Sequence, residues 1–116
     1  DITGAGIAPL GTVEVLYNSG TPIGGFQFRV TGVSVTGVGA GGSAGAAGFT
    51  VSTGNTSNIV LGFSFAGATI SAGNSVLVVL EVTGSGDACL TDLVISDSSG
   101  NALGASVEDC LTISVP

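Results

Sequence analysis

Apolar and polar residues alternate with a period of two along most of this chain. Successive side chains of a β-strand point to opposite faces, so this period predicts strands with one buried face. The alternating segments are residues 12–17, 26–30, 33–36, 49–51, 59–65, 76–82, 89–96 and 107–115. We therefore expect about eight or nine short strands at nearly regular spacing.

The segments between these strands are rich in glycine and other turn-forming residues, and none has the period of an amphipathic helix. Alanine clusters only at residues 45–48 (GAAG), where glycine disfavours a helix. Many short strands joined by glycine-rich turns predict an all-β fold, a β-sandwich or jelly roll. A chain of 116 residues is long enough for one such domain with its own core.

Residues 1–11 (DITGAGIAPLG) are expected to form an extended N-terminal arm that precedes the sandwich domain at residues 12–116. Ile2, Ile7 and Leu10 are the apolar side chains that can anchor this arm. The arm is either an edge strand or interdomain linker, or a donor segment that completes the sheet of a neighbouring subunit.

The strand near residues 75–83 is apolar on both faces. Leu77 and Val79 alternate with Val76, Val78 and Leu80, so the two sets point to opposite faces. A strand that is buried on one face normally has polar residues on the other. Either this strand is central and covered on both sides, or its outer face with Leu77 and Val79 contacts a partner.

Residues 37–48 (GVGAGGSAGAAG) form a low-complexity stretch of small, uncharged residues. This composition is typical of an irregular loop between strands. The alternative is a surface of small residues that allows another chain to approach closely.

The charge balance limits the kinds of partner. The chain has eight carboxylates and no lysine or histidine, and Arg29 is its only cationic side chain, which gives a net charge of −7. Such a chain repels a phosphate backbone, so nucleic acid is excluded as a partner. The longest aliphatic run, Val76–Leu80, is far shorter than the ~20 residues of a membrane-spanning helix, so no membrane insertion is expected. Because only 8% of the residues are charged, the apolar surplus is expected to enter a core, contacts with other molecules, or both.

The two cysteines are Cys89 and Cys110. In a lysine-free chain rich in Ser, Thr and Gly we expect them to form a disulfide, and two buried free thiols are the alternative. A disulfide implies an oxidising compartment, so the protein is expected outside the cell or at its surface. The start at Asp1 lacks the basic and apolar regions of a signal peptide, which fits a terminus left after processing or a shortened chain.

The sequence lacks the residue combinations that catalysis requires. Without histidine or lysine, no serine has a base to activate it. A glycosidase needs two carboxylates that face each other across a sugar, yet Glu108 and Asp109 are neighbours on one predicted strand and point to opposite faces. We therefore expect no enzymatic activity and no cofactor.

Residues 97–101 (DSSGN) have the composition of a hairpin turn, because the Asp97 carboxylate can accept hydrogen bonds from the backbone that follows it. The alternative is a calcium site in which Asp97, with Asp92 or Asp87, supplies oxygen ligands. The D-x-D-x-D-G spacing of an EF-hand loop is missing, so the turn is the favoured interpretation.

Other side chains have predicted roles at the surface and in the core. Asn55 begins the sequon Asn55-Thr56-Ser57 in a polar loop and is a candidate glycosylation site. Arg29 lies on the polar face of its strand, where we expect it to pair with a carboxylate such as Glu14. The phenylalanines share the inward-facing parity of their strands and are expected in the core.

Four segments stand out as a set: I-x-G-F-Q-F, a Gly/Ala-rich stretch before G-F, L-G-F-S-F-x-G-x-x-I-x-x-G, and L-x-x-L-x-I-S-D-x-x-G. They occupy residues 23–28, 39–49, 61–73 and 90–100. As a set they resemble the cohesin-like β-sandwich family, most of all the copies repeated in secreted proteins of aquatic microbes. The resemblance covers roughly residues 12–115 and implies a jelly-roll sandwich of about nine strands. In cellulosomal members one sheet face binds a dockerin domain, but a chain with a single arginine and no lysine departs from such a polar docking face.

Two functions are compatible with these observations. The first is a structural protein that assembles with copies of itself into a filament or surface layer, through sheet edges, the N-terminal arm and the apolar positions Leu77 and Val79. The second is a cohesin-like interaction module that binds a dockerin-like partner domain or a glycan within a larger secreted protein. The low charge and the strand apolar on both faces favour the first, and the family resemblance favours the second.

Overall fold

The structure, a computed structural model, describes residues 10–39, 41–53, 58–84 and 86–115. Over these residues the chain forms ten β-strands and one short helix, which confirms the predicted all-β sandwich. The elements are β1 (Leu10–Ser19), β2 (Gly25–Thr31), β3 (Ser34–Val38), α1 (Ser43–Ala46), β4 (Thr50–Thr53), β5 (Ile59–Phe63), β6 (Gly73–Thr83), β7 (Cys89–Ser96), β8 (Ala102–Leu103), β9 (Ser106–Glu108) and β10 (Thr112–Val115).

The strands form two sheets that pack face to face. The first sheet has the order β3-β6-β1-β10-β9, and the second has the order β4-β5-β2-β7-β8. Neighbouring strands are antiparallel except β1 and β10, which run parallel. Hairpins join β4 to β5, β7 to β8 and β9 to β10, and every other connection passes from one sheet to the other. The two sheets are therefore linked repeatedly along the chain.

The core lies between the sheets, and alternate residues of the central strands face it as predicted. Val15 and Tyr17 of β1 are buried, as are Phe26 and Phe28 of β2. Burying one large apolar side chain contributes about 1.5–3 kcal/mol, so these residues supply much of the stabilisation. The Tyr17 hydroxyl donates a hydrogen bond to the Ser71 carbonyl oxygen (3.2 Å), which satisfies the polar end of a buried ring.

The predicted strand over residues 107–115 is divided into β9 and β10 by a turn. Asp109 and Cys110 have φ angles of 49° and 65°, a backbone conformation that interrupts a strand. Glu108 ends β9, whereas Asp109 lies in the turn, so the prediction that the two carboxylates share one strand is wrong.

A β-bulge in β6 determines which of its side chains face the core. Val15 pairs with Val78, and the next residue of β1 pairs with Val76, so Leu77 is an extra residue on β6. The bulge turns Leu77 inward, and it is fully buried beside Val78. The prediction that Leu77 lies on an outer interface is therefore wrong. Val79 does lie on the outer face and is half-buried.

The glycine-rich segment after β3 packs against β6 of the same chain. The Gly39 N–H donates a hydrogen bond to the Val79 carbonyl oxygen (2.7 Å), and a Cβ at residue 39 would lie 2.9 Å from Val79 Cγ1. At Gly42 the φ angle is 93°, and a Cβ would lie 2.8 Å from the Leu77 carbonyl oxygen. The segment then forms α1, a single turn that buries Ala44. Its small residues thus permit a close approach within the chain.

The core-facing residues of β5 are Val60 and Gly62, which are both buried. The ring of Phe26 fills the space where a side chain at residue 62 would lie. Phe63 therefore points outward, and Phe65 lies beyond the end of the strand and is exposed. The prediction that Phe63 and Phe65 belong to the core is wrong, because the opposite set of β5 residues faces inward.

The last two residues of the predicted N-terminal arm belong to β1. Leu10 and Gly11 pair with Thr83 and Val82 of β6, so they belong to the first sheet. The rest of the arm, residues 1–9, lies outside the described residues. In the described part of the chain, no helix has the length and apolar character needed to cross a membrane.

Candidate interaction surfaces

The outer face of the second sheet carries a group of apolar side chains, here called the apolar face. Phe65 is 87% exposed, Val94 is 53% exposed and Leu61 is 39% exposed. Ile59 and Phe63 belong to the same face and are half-buried. Phe63 and Phe65 pack edge to face with their ring centroids 4.9 Å apart, so the exposed ring has one supporting neighbour.

Strand pairing places these residues next to one another. Gln27 of β2 pairs with Leu61 on one side and with Val94 on the other, so the two apolar side chains flank it. Neighbouring strands lie about 4.8 Å apart, which puts Leu61 and Val94 roughly 10 Å from each other. Beyond β5 the Ser64 hydroxyl oxygen accepts a hydrogen bond from the Ala66 N–H (3.1 Å), which fixes the turn that contains Phe65.

The charged groups of the apolar face neutralise each other. Arg29 Nε lies 3.4 Å from Asp92 Oδ2, and both side chains are largely exposed. The prediction that Arg29 pairs with a carboxylate is confirmed, but the partner is Asp92. Glu14 is excluded because it is on β1 in the first sheet, whereas Arg29 is on β2 in the second. The pairing of β2 with β7 is irregular between Gln27 and Arg29, and Asp92 has a φ of 54° there. This irregularity places Asp92 next to Arg29.

The outer face of the first sheet is acidic. Thr12 pairs with Glu81, and Glu14, two residues further along β1, shares this face. Glu108 adds a third carboxylate to the same face, since it pairs with Thr112. All three are exposed, and Arg29 lies on the other sheet. The two faces of the sandwich are therefore electrostatically unlike, one acidic and one neutral and apolar.

A cleft opens beside the first half of β1. The parallel pairing of β1 with β10 begins only at Leu16, whose N–H donates to the Leu111 carbonyl oxygen (2.8 Å). Among the described residues, the part of β1 before Leu16 pairs with β6 alone. The cleft has a volume of ≈ 540 Å³, and its apolar lining includes Val13, Val33, Val82, Ala88 and Leu111.

Cys89 and Cys110 form the predicted disulfide. It joins the start of β7 in the second sheet to the turn between β9 and β10 in the first sheet. The Leu90 N–H donates a hydrogen bond to the Cys110 carbonyl oxygen (2.9 Å) beside it. The disulfide therefore connects the two sheets at the end of the sandwich where the cleft lies, and Cys110 itself lines the cleft.

Asp97 forms the hairpin turn that its sequence context predicts. Its Oδ1 accepts hydrogen bonds from the Ser99 N–H and the Asn101 N–H, both at 2.9 Å. These bonds, led by the one from Asn101, hold the pKa of the carboxyl group below its ordinary value of 3.8. Asp92 pairs with Arg29 instead. Over the described residues, no three acidic or cysteine side chains lie together as a metal site would require.

Several predicted site residues fall outside the described part of the chain. The sequon residue Asn55 lies in the segment 54–57, and Ile2 and Ile7 lie in the segment 1–9. Leu10 is the first residue of β1. The roles predicted for these residues, and for Val79, stay predictions.

The apolar face and the cleft were not predicted from the sequence. The apolar residues of this face on β5 alternate as in a regular strand, but they were expected to point into the core. Gly62 indicated the opposite assignment, because a residue without a side chain can lie this close to a large ring in the core. No protein-family profile, curated protein or solved structure matches this chain, so the cohesin-like resemblance also stays a prediction.

Proposed function

We propose that this domain is a non-enzymatic structural protein of the cell exterior whose copies assemble with one another. The observation that carries the proposal is the apolar face, on which Phe65, Val94 and Leu61 are exposed together. Scattered apolar residues are normal on a protein surface, whereas a contiguous group of them marks a site of protein contact. Aromatic side chains such as Phe65 are also enriched in protein interfaces.

Charge favours a second copy of the chain as the occupant of this face. A chain with a net charge of −7 repels its own copies, so contact between two sheet faces is favoured where the local charge is low. The apolar face meets that requirement because its Arg29 and Asp92 form a pair. The acidic outer face of the first sheet opposes contact with another such face. Two copies therefore associate through their second sheets, with the first sheets outward.

The disulfide supports the proposed location. Disulfides persist in oxidising environments and are rare in the cytosol, so Cys89–Cys110 fits a protein outside the cell or at its surface. The sequon at Asn55 fits the same location, and we propose it as a glycan attachment site. Intact-mass measurement of natively produced protein, before and after removal of N-linked glycans, tests the attachment.

Sedimentation velocity over a wide range of concentrations tests self-assembly. The wild type is expected to associate as its concentration rises, and Leu61→Thr combined with Val94→Thr is expected to weaken that association by about tenfold or more. Leu16→Thr is the matched control, because Leu16 is 38% exposed, like Leu61, but lies on the acidic face. A wild type that stays monomeric at every concentration contradicts the proposal, as does an equal effect of the control.

A second candidate is a cohesin-like module that binds a dockerin-like domain or a glycan. It is favoured by the position of the matching motif at residues 61–73, which contains Leu61, Phe63 and Phe65 of the apolar face. A monomer that nevertheless binds a defined secreted domain, and loses that binding on the Leu61→Thr and Val94→Thr changes, supports this candidate over self-assembly.

A further inference from the structure

We infer that the cleft beside β1 is a strand-acceptor site, and that its occupant is the N-terminal segment, residues 1–9, of a second copy of this chain. The inference rests on the proposed self-assembly and adds a second, different contact to it. It is carried by two features of the described structure, an unpaired backbone edge and an open end of the core, and by the sequence of residues 1–9, which precede β1.

The backbone edge is the first feature. The N–H and C=O groups of one strand residue point to the same side, and those of the next residue point to the other side. Leu16 points toward β10, because its N–H donates to Leu111. Thr12 and Glu14 therefore direct their N–H and C=O groups to the same side of β1 as Leu16, away from β6. No described strand pairs with them on that side. Unpaired strand edges of this kind accept an added strand through main-chain hydrogen bonds.

The open core is the second feature. Along β1 the inward-facing Val15 and Tyr17 are buried, but Val13 in the same row is only half-buried. Leu111 and Ala88, which also line the cleft, are half-buried too. The cleft of ≈ 540 Å³ that Val13, Ala88 and Leu111 help to line is large enough for an aliphatic side chain, and its lining also contains Asp87 and Asp109. An added strand would thus complete both the sheet and the core at this end.

The N-terminal segment has the composition of such a strand. Its nine residues span at most about 30 Å when extended, more than the length of the unpaired part of β1. Ile2 and Ile7 are an odd number of residues apart, so in a regular strand they point to opposite faces. The face of Ile7 also carries Asp1, Thr3, Ala5 and Pro9, whereas the face of Ile2 also carries Gly4, Gly6 and Ala8. The Ile7 face fills the cleft better, and Ile2 is left outward.

The sequence before β1 disfavours insertion of the segment into its own cleft. To pair with its own β1, which begins at Leu10, the segment must reverse direction immediately before that residue. A two-residue hairpin there would place Ala8 and Pro9 at its centre, but the favoured turns need a positive φ that alanine resists and that proline cannot adopt. The residue before proline also prefers an extended backbone, so a tight reversal immediately before β1 is disfavoured and a second copy is favoured as the source of the added strand.

This contact is of a different symmetry class from the contact between apolar faces. A segment of one copy that enters a cleft of the next is a head-to-tail contact, which continues into a filament unless it closes into a ring. Contact between two identical apolar faces joins copies in pairs. The two contacts together would produce filaments that are associated side by side.

Quenched hydrogen exchange on the assembled chain of 116 residues, read by NMR after dissolution, tests the inference. The amides of Thr12 and Glu14 are expected to exchange at least about tenfold more slowly in the assembly than in dilute monomer. Val13 and Val15 are internal controls, because their N–H groups point toward β6 and are protected in both states. Ile7→Ser is expected to abolish the added protection and to stop assembly at pairs, whereas Ile2→Ser is expected to leave both unchanged.

The outcomes separate this inference from the proposed function. If the wild type assembles but Thr12 and Glu14 gain no protection, or if Ile7→Ser has no effect, the strand-acceptor site is wrong and self-assembly stands. If both amides are already protected in dilute monomer, the chain fills its own cleft and the second copy is wrong as the occupant. A wild type that does not assemble at all contradicts the proposed function itself.

Discussion

The aromatic ring of Phe26 occupies the space that a side chain on its cross-strand partner Gly62 would need. The two residues pair directly between β2 and β5, and a Cβ built on Gly62 would overlap the ring. The ring is 2% exposed and packs against the rings of Phe28 and Phe49, whose centroids lie 5.9 and 6.2 Å from its own. These neighbours restrict its movement away from residue 62.

We expect Gly62→Ala to lower the free energy of unfolding by about 1–3 kcal/mol, the range for an overpacked core. Urea denaturation followed by circular dichroism measures this loss.

Gly45→Ala is the matched control, since a Cβ at Gly45 meets no atom within 4 Å. Gly45 lies in α1, so alanine there is expected to stabilise the fold by about 0.5–1 kcal/mol. Equal effects of the two substitutions would refute the steric explanation. Phe26→Leu in the Gly62→Ala background is expected to recover part of the loss.

Asn58 connects the two sheets through its side chain. Its Nδ2 donates hydrogen bonds to the carbonyl oxygens of Val33 (2.7 Å) and Val30 (3.0 Å), and its Oδ1 accepts one from the Val35 N–H (3.2 Å). Asn58→Ala leaves these three partly buried backbone groups without a partner, so we expect unfolding free energy to fall by about 2–4 kcal/mol. Thermal and urea denaturation measure the loss.

Asn58→Gly separates the lost hydrogen bonds from backbone strain. Asn58 has a φ of 57°, which glycine adopts freely and alanine does not. Both variants lose the hydrogen bonds, so we expect Asn58→Gly to be destabilised as well, but less than Asn58→Ala. A glycine variant as stable as the wild type would show that the side-chain hydrogen bonds contribute nothing.

Much of the fold followed from local pattern, because a strand bounded by turns is defined by its own residues. The segment Cys89–Ser96 was predicted with the bounds that β7 has, since glycine and a polar turn limit it on both sides. The turn at Asp97 and the disulfide were likewise predicted from residue type. Each of these features depends on few residues outside the segment itself.

The misassigned faces depend on contacts between distant segments. In β5 both Val60 and Leu61 are apolar, so alternation alone does not decide which one faces the core. The decision is made by Phe26, far away in the chain, whose ring requires the space above Gly62. The inward turn of Leu77 similarly requires the bulge in the pairing of β6 with β1. The cleft depends on where β10 begins along β1, which no local pattern contains.

Reduction of the disulfide is expected to lower the unfolding free energy by about 3 kcal/mol. The bond closes a loop with a sequence separation of 21, and its loss restores the corresponding chain entropy to the unfolded state. The slope of unfolding free energy against urea should rise, because a chain without the cross-link exposes more surface on unfolding. Urea denaturation with and without reductant measures both quantities.

The double variant Cys89→Ser and Cys110→Ser provides the control for reduction. Without reductant it should match the reduced wild type, and reductant should not change it further. If reductant leaves the wild-type urea midpoint unchanged, the disulfide does not stabilise the fold as proposed. The reduced chain is also expected to have a less protected Leu90 amide, because Leu90 donates to the Cys110 carbonyl oxygen beside the bond.

Asp97 is expected to make the turn between β7 and β8 sensitive to acid. The backbone N–H of Asn101 and then that of Ser99 stabilise the ionised carboxylate, so its pKa in the folded protein lies below 3.8. In the unfolded chain these hydrogen bonds are lost and the pKa returns to its ordinary value. The ionised form therefore contributes stability that is fully present above pH 3.8 and is lost as the pH falls through the folded pKa.

Carboxyl-detected NMR titration from about pH 6 to about pH 2 measures the pKa of Asp97 directly, and the amides of Ser99 and Asn101 report whether the turn opens. Asp97→Asn is the control, because its side-chain oxygen accepts the same hydrogen bonds but does not titrate. The difference in unfolding free energy between the wild type and Asp97→Asn should be constant near neutral pH. It should shift in favour of the variant as the pH falls through the pKa that Asp97 has in the folded protein. A measured pKa at or above 3.8, or amide shifts in the variant equal to those of the wild type, would show that the turn does not stabilise the carboxylate.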